Sequence, residues 1–103
     1  MLAAVMSSTY GQSYYQKETP TQEQKYTYQS GVVSLGERQL SINPNHQEER
    51  IYYIDFEPVE TVDGLYFTAT FEGREFEFWY NLELGYLKTK RGSWVCYYWF
   101  NWV

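Results

Sequence analysis

The chain has 103 residues and a mass of 12.4 kDa, which is the size of one folded domain and excludes a multidomain enzyme. Aromatic residues make up 21% of it, while the hydrophobic fraction of 44% and the charged fraction of 20% are ordinary, so a wholly disordered chain is excluded. A net charge of −5 and a pI of about 4.8 disfavour nonspecific attraction to nucleic-acid phosphate or to an anionic membrane.

Residues 1–25 are predicted to form a flexible polar tail. In residues 7–30, 19 of the 24 positions are Ser, Thr, Gln, Gly or Tyr, and Leu, Ile, Val, Phe and Trp are absent. Such a segment buries too little apolar surface to offset the entropy that is lost on ordering. An arm that docks a partner or self-associates is the alternative. A single domain is therefore expected over residues 26–103, with a first strand at residues 25–28.

The rest of the chain has the composition of β-strands. Residues 52–103 carry 17 aromatics in 52 positions, and aromatic side chains favour a pleated, half-buried surface. Alternating apolar and polar residues over 65–81, interrupted by Gly73 and Arg74, indicate a hairpin with these two residues as its turn. A slip of one residue would place phenylalanines opposite glutamates. The expected facing pairs are Phe71 with Phe76, Ala69 with Phe78, and Phe67 with Tyr80.

A second hairpin turn is predicted at Asp63 and Gly64, but it would place Glu60 opposite Phe67 on the apolar face. Because Pro58 has no N–H for the ladder, we expect a bulge over residues 58–60 that turns Glu60 outward and bends the sheet. Further turns or loops are expected at residues 36–37, 43–46 and 90–93.

These short connections predict an all-β fold of about six to eight strands, an antiparallel meander that closes into a small barrel or curls strongly. Closure removes exposed strand edges. The last strand, residues 94–102, is apolar on both faces. It is expected to be central in the sheet, or covered on its outer face by another element or by a second copy of the chain.

The sequence shows no catalytic, metal or cofactor site, and we do not expect an enzyme. His46 is the only histidine and follows a turn-like Asn-Pro-Asn, so a solvated loop side chain is expected. Cys96 is the only cysteine, lies in an apolar run, and is expected to be a buried, unreactive thiol. With no apolar stretch long enough to span a bilayer and no convincing signal peptide, a soluble cytoplasmic protein is expected.

Charge is segregated along the chain. Residues 51–87 hold eight acidic residues and one basic residue, whereas residues 88–103 hold three basic residues and no acidic one. In strands, alternation would place Asp55 with Glu57 on one face, and Glu75 with Glu77 on another. A solvated face that keeps an aromatic protein soluble is the simplest interpretation. The functional interpretation makes Asp55, Glu57, Glu75, Glu77 and Trp79 a binding face.

The leading hypothesis is a non-catalytic binding protein that docks, and inhibits, a protein partner with a basic surface, such as the phosphate-binding groove of a nucleic-acid enzyme. One alternative is a barrel that holds an apolar or sugar-like small ligand between Trp94, Tyr98 and Trp99. Another is a structural protein or homo-oligomer that pairs through its C-terminal strand. Direct nucleic-acid binding is not expected, because the basic patch of Lys88, Lys90 and Arg91 is far outnumbered by acidic residues.

Overall fold

The structure, a computed structural model, describes residues 6–17, 25–27, 30–45 and 47–100; in residues 6–17 and 25–27 it describes only the backbone, apart from Thr9 and Tyr10. These ranges are all-β, and no helix within them is long and apolar enough to cross a membrane. The strands are β1 (Met6–Lys17), β2 (Lys25–Thr27), β3 (Gly31–Leu35), β4 (Gln39–Pro44), β5 (Arg50–Ile54), β6 (Val59–Thr61), β7 (Gly64–Phe71), β8 (Arg74–Asn81), β9 (Tyr86–Arg91) and β10 (Trp94–Phe100).

The predicted antiparallel meander is confirmed, and it closes into an eight-stranded barrel. The strands follow the order β3, β4, β5, β7, β8, β9, β10, and β1 then pairs with both β10 and β3 to complete the ring. The short strands β2 and β6 pair with β1 and β7. Every one of these pairings is antiparallel, so short connections suffice for most of the chain.

The N-terminal strand β1 lies within the segment that was expected to be a tail. Its residues 6–10 pair with β3, and residue 10 and residues 12–17 pair with β10. Strand pairing is made by backbone N–H and C=O groups, so a strand with few aliphatic side chains can still complete a ladder. Tyr10, which is fully buried, provides this strand with a core side chain. The remainder of the predicted tail, residues 1–5 and 18–24, lies outside the described residues.

The β7–β8 hairpin forms as predicted, but its register differs by two residues. The turn consists of Glu72 and Gly73, both with positive φ (51° and 74°), and Phe71 pairs with Arg74. A type I′ turn needs positive φ at both central positions, and glycine satisfies the second of them here. A shift of two residues keeps the alternation, so the same side chains remain on the apolar face. The facing core pairs are Leu65 with Tyr80, Phe67 with Phe78, and Ala69 with Phe76.

The turn before β7 lies one residue earlier than predicted, as the β7–β8 turn does. It consists of Val62 and Asp63, so that Thr61 pairs with Gly64. Gly64 has a φ of 114°, and a Cβ added to it would lie 2.5 Å from the carbonyl oxygen of Tyr80. The neighbouring backbone thus requires glycine at the first position of β7, which places the turn before Gly64.

The predicted bulge over residues 58–60 is instead a longer break over residues 55–58, between β5 and β6. Ile54 pairs with Ala69, and Val59 pairs with Tyr66. Between these two pairs β7 covers a step of three residues, whereas the chain opposite it covers a step of five. Two extra residues preserve the alternation, so Glu60 is not rotated to the other face and lies opposite Leu65. It is exposed because it stands beside the turn at the end of the barrel.

The three other predicted turns are shifted at their boundaries. Leu35 pairs with Leu40 and the Gly36 N–H donates to the carbonyl oxygen of Gln39, so the first turn consists of residues 37–38. Residues 43–44 belong to β4, and His46 lies outside the described residues. The β9–β10 turn is shorter than predicted, only residues 92–93.

Aromatic and aliphatic side chains fill the barrel interior. Tyr52 packs against the rings of Phe71, Phe76 and Phe78, with centroid distances of 5.0, 5.4 and 5.1 Å. Cys96 is buried in this core, as predicted. Strand β10 is central, since β9 and β1 pair with its two edges. The buried cluster is Tyr10, Val33, Leu35, Leu40, Ile42, Tyr52, Phe67, Ala69, Phe78, Tyr80, Leu87, Cys96, Tyr98 and Phe100.

Candidate functional site

The outer face of β7 and β8 carries three of the five predicted binding residues. With the phenylalanines of β8 turned inward, alternation directs Glu75, Glu77 and Trp79 outward. The register places them directly across from the outward residues of β7: Thr70 faces Glu75, Thr68 faces Glu77, and Tyr66 faces Trp79.

Asp55 joins this face from the other side of β7. Its carboxylate accepts hydrogen bonds from Thr68 Oγ1 at 2.9 Å and from Thr70 Oγ1 at 3.0 Å, and its N–H donates to the carbonyl oxygen of Thr68 at 2.9 Å. The two threonines therefore lie between Asp55 on one side and Glu75 with Glu77 on the other. This arrangement gathers three carboxylates around a short stretch of β7.

Glu57 is placed differently from the prediction. Because β5 ends at Ile54, Asp55 and Glu57 do not share the face of a strand; they lie in the irregular link before β6. Pro58, which cannot donate to the ladder, follows directly and is consistent with this break. Glu57 lines a surface depression together with Asp55 and Phe56. The acidic Glu37 and the basic Arg38 line the same depression.

Tyr66 links the acidic and aromatic parts of the face. Its hydroxyl donates a hydrogen bond to Glu77 Oε1 at 2.9 Å. Burial raises the pKa of Tyr66, and the hydrogen bond to Glu77 and the negative charges of Glu77 and Glu75 raise it further. Trp79 lies half-buried between the ring of Tyr66, at 5.1 Å between centroids, and the ammonium of Lys88, 4.8 Å from its own centroid.

Two exposed aromatics on the same side were not predicted from the sequence. Tyr53 is 63% exposed and pairs with Thr70, and Phe56 is 42% exposed with its ring 6.2 Å from that of Tyr66. The signal for Tyr53 was present in the chain, because a strand that turns Tyr52 inward must turn Tyr53 outward. We call the set of Tyr53, Asp55, Phe56, Glu57, Tyr66, Glu75, Glu77 and Trp79 the acidic-aromatic face.

The aromatic surface continues across β9 and β10. Tyr97 and Trp99 lie nearly parallel, 5.8 Å apart, and Tyr86 contacts both rings edge-on at 5.7 and 5.4 Å. Lys88 Nζ lies 5.9 Å from the Tyr97 ring centroid. Burial raises the pKa of Tyr97, and the charge of Asp63 raises it further. These rings partly cover one another, which reduces the apolar area that β10 presents to water.

The three residues proposed as walls of a ligand cavity do not line one space. Tyr98 is buried in the core, Trp99 packs on Tyr97 at the outer face, and Trp94 is half exposed at the start of β10. A ligand site between these three side chains is thus not formed.

Among the residues that the structure describes, no group of three or more His, Cys, Asp or Glu side chains is arranged to hold a metal ion. No protein family matches this chain, and neither a curated protein nor a solved structure is significantly similar to it. The functional proposal consequently depends on the geometry of its own residues.

Proposed function

We propose that the protein is a non-catalytic binding protein, and that its acidic-aromatic face docks a protein partner with a basic surface. The observation that carries the proposal is the placement of Asp55, Glu75 and Glu77 around β7, next to the exposed rings of Tyr53 and Phe56. Carboxylates steer a basic partner and set its orientation, and aromatic side chains bury large areas at small entropic cost.

The hydrogen bonds of this face favour docking without rearrangement. Asp55 is held by two threonine hydroxyls, and Glu77 is held by Tyr66. Side chains that are fixed before binding lose less conformational entropy on association than free ones. Arg38, Lys88 and Lys90 lie at the margins of the face and limit the orientations in which a basic surface fits.

Inhibition belongs to the proposal as its functional consequence. A partner that binds phosphate through clustered Lys and Arg side chains presents the complementary charge, and occupation of that cluster blocks its ligand. The proposal includes a cytoplasmic location, since a single cysteine cannot form an intrachain disulfide and Cys96 is buried.

The test reverses charge on the face. Glu75→Lys combined with Glu77→Lys should weaken binding to a partner isolated with the full chain by about tenfold or more, and should reduce the salt dependence of the association rate. The matched control is Glu48→Lys with Glu49→Lys, which makes the same charge change in the β4–β5 connection. Equal weakening by both pairs would show that net charge, rather than this face, governs binding.

A further inference from the structure

One end of the barrel carries an exposed apolar cluster that the acidic-aromatic face does not include. It is formed by the β6–β7 turn and by the β8–β9 connection, where Val62 is 98%, Leu82 is 44% and Leu84 is 63% exposed. Between the two loops lies an open depression of about 250 Å³. Its lining includes Glu60, Val62, Leu65, Asn81, Leu82 and Glu83.

Asn81 holds the two loops in a fixed arrangement. Its side chain is buried, its Nδ2 donates to the carbonyl oxygen of Asp63 at 3.1 Å, and its Oδ1 accepts from the Leu84 N–H at 2.8 Å. The Gly85 N–H also donates to the carbonyl oxygen of Asn81 at 2.9 Å. The apolar side chains are therefore displayed from a preformed backbone, which lowers the entropic cost of binding.

The charge around the depression selects the occupant. Two of the lining side chains, Glu60 and Glu83, are carboxylates, none is a lysine or an arginine, and Asp63 lies in the adjoining turn. Like charges disfavour a second copy of this acidic chain, and they equally disfavour an anionic membrane. An apolar floor with an acidic rim fits an aliphatic side chain that is flanked by lysine or arginine.

We propose that this end of the barrel is a second docking site, which binds a peptide segment of a partner that carries an aliphatic residue between basic residues. The site shares no residue with the acidic-aromatic face. The proposal of a second docking site is therefore tested independently of the proposed function. The aliphatic side chain packs on Val62, Leu65 and Leu82, and the basic side chains approach Glu60 and Glu83.

The test is an NMR titration of the full chain with a capped pentapeptide that has one leucine between two pairs of lysines. We expect millimolar binding that shifts the amide resonances of residues 60–65 and 80–85. A pentapeptide with serine in place of leucine should bind about tenfold more weakly, because it lacks the apolar anchor. Added salt should weaken the binding of both peptides.

Two pairs of variants separate the floor from the rim. Val62→Ser with Leu82→Ser should abolish the preference for leucine, whereas Val59→Ser, at an exposed apolar residue outside the depression, should keep it. Glu60→Gln with Glu83→Gln should weaken both peptides severalfold, whereas Glu48→Gln with Glu49→Gln should not. Unchanged urea midpoints verify that the variants are folded.

Three results would overturn the proposal: equal binding of the two peptides, shifts that map to the acidic-aromatic face, or no shift at millimolar peptide. Shifts at residues 60–65 and 80–85 that depend on protein concentration without peptide would instead identify a second copy as the occupant.

Discussion

The contact between Tyr66 and Glu77 makes the outer face sensitive to alkaline pH. The phenol donates its only proton to a carboxylate, so ionisation would both remove the hydrogen bond and place two negative charges together. The pKa of Tyr66 in the folded protein is raised above its ordinary value of 10.0, by burial first and then by Glu77 and Glu75. The stabilisation that protonated Tyr66 gives to the folded protein is therefore complete below pH 10, and it is lost as the pH rises through the pKa of Tyr66 in the folded protein.

We predict that Tyr66→Phe lessens the loss of stability between about pH 8 and about pH 11, because the variant has no phenol to ionise at this position. The measurement is the urea midpoint at both pH values. Tyr53→Phe is the matched control, since the same hydroxyl is removed from a side chain that is 63% exposed. An identical alkaline loss in wild type and Tyr66→Phe would show that the contact does not contribute.

At the scale of single strands and turns, the sequence predicted which residues share a face better than it predicted which residues pair. Alternation alone placed Glu75, Glu77 and Trp79 together, because this needs only an unbroken strand. Register depends in addition on where each turn lies, and Glu72 was not expected to accept a positive φ. Asp55 and Glu57 were assigned to a strand that in fact ends at Ile54, since composition does not mark where a ladder breaks.

The β7–β8 turn yields a prediction about stability. Glu72 has a φ of 51°, a conformation that asparagine adopts more readily than glutamate, and the turn of Glu72 and Gly73 needs it. Glu72→Asn should raise the free energy of unfolding by about 0.5 to 1 kcal/mol. Urea unfolding measures the change.

The control for this turn is Glu75→Asn, which makes the same replacement on an exposed strand position. It should be neutral or destabilising, because asparagine is a poor strand former. If both variants raised the urea midpoint equally, relief of negative charge and not turn geometry would be the cause.

At the scale of the whole molecule, closure of the sheet was predictable but its closing strand was not. Two-sided apolarity of residues 94–102 indicated that the last strand is covered or central. Its second neighbour, β1, is polar, so no hydrophobic pattern marked it. The pairing is visible only when the unpaired backbone groups of β10 and β3 are considered together, since both edges need a partner and one strand satisfies both.

Truncation of the chain would show whether β1 closes the barrel or is a dispensable tail. A chain without residues 1–17 would expose the edges of β10 and β3 and would lose Tyr10, whose ring packs edge-on against Tyr98 at 5.1 Å. We expect this chain to be destabilised by more than about 3 kcal/mol and to associate at micromolar concentration, because an unpaired apolar edge binds other strands. The measurements are urea unfolding and sedimentation velocity. A dispensable tail would instead leave both unchanged.

Should the truncated chain fail to fold, a point variant tests the same closure. Tyr10→Ala removes a fully buried ring and should cost about 3 to 5 kcal/mol, whereas Tyr53→Ala, at a side chain that is mostly in water, should cost less than about 1 kcal/mol. The ratio of the two effects is informative, because both variants delete the same group and differ only in its position. Equal costs would mean that Tyr10 is not enclosed by the barrel, and that β1 does not close it.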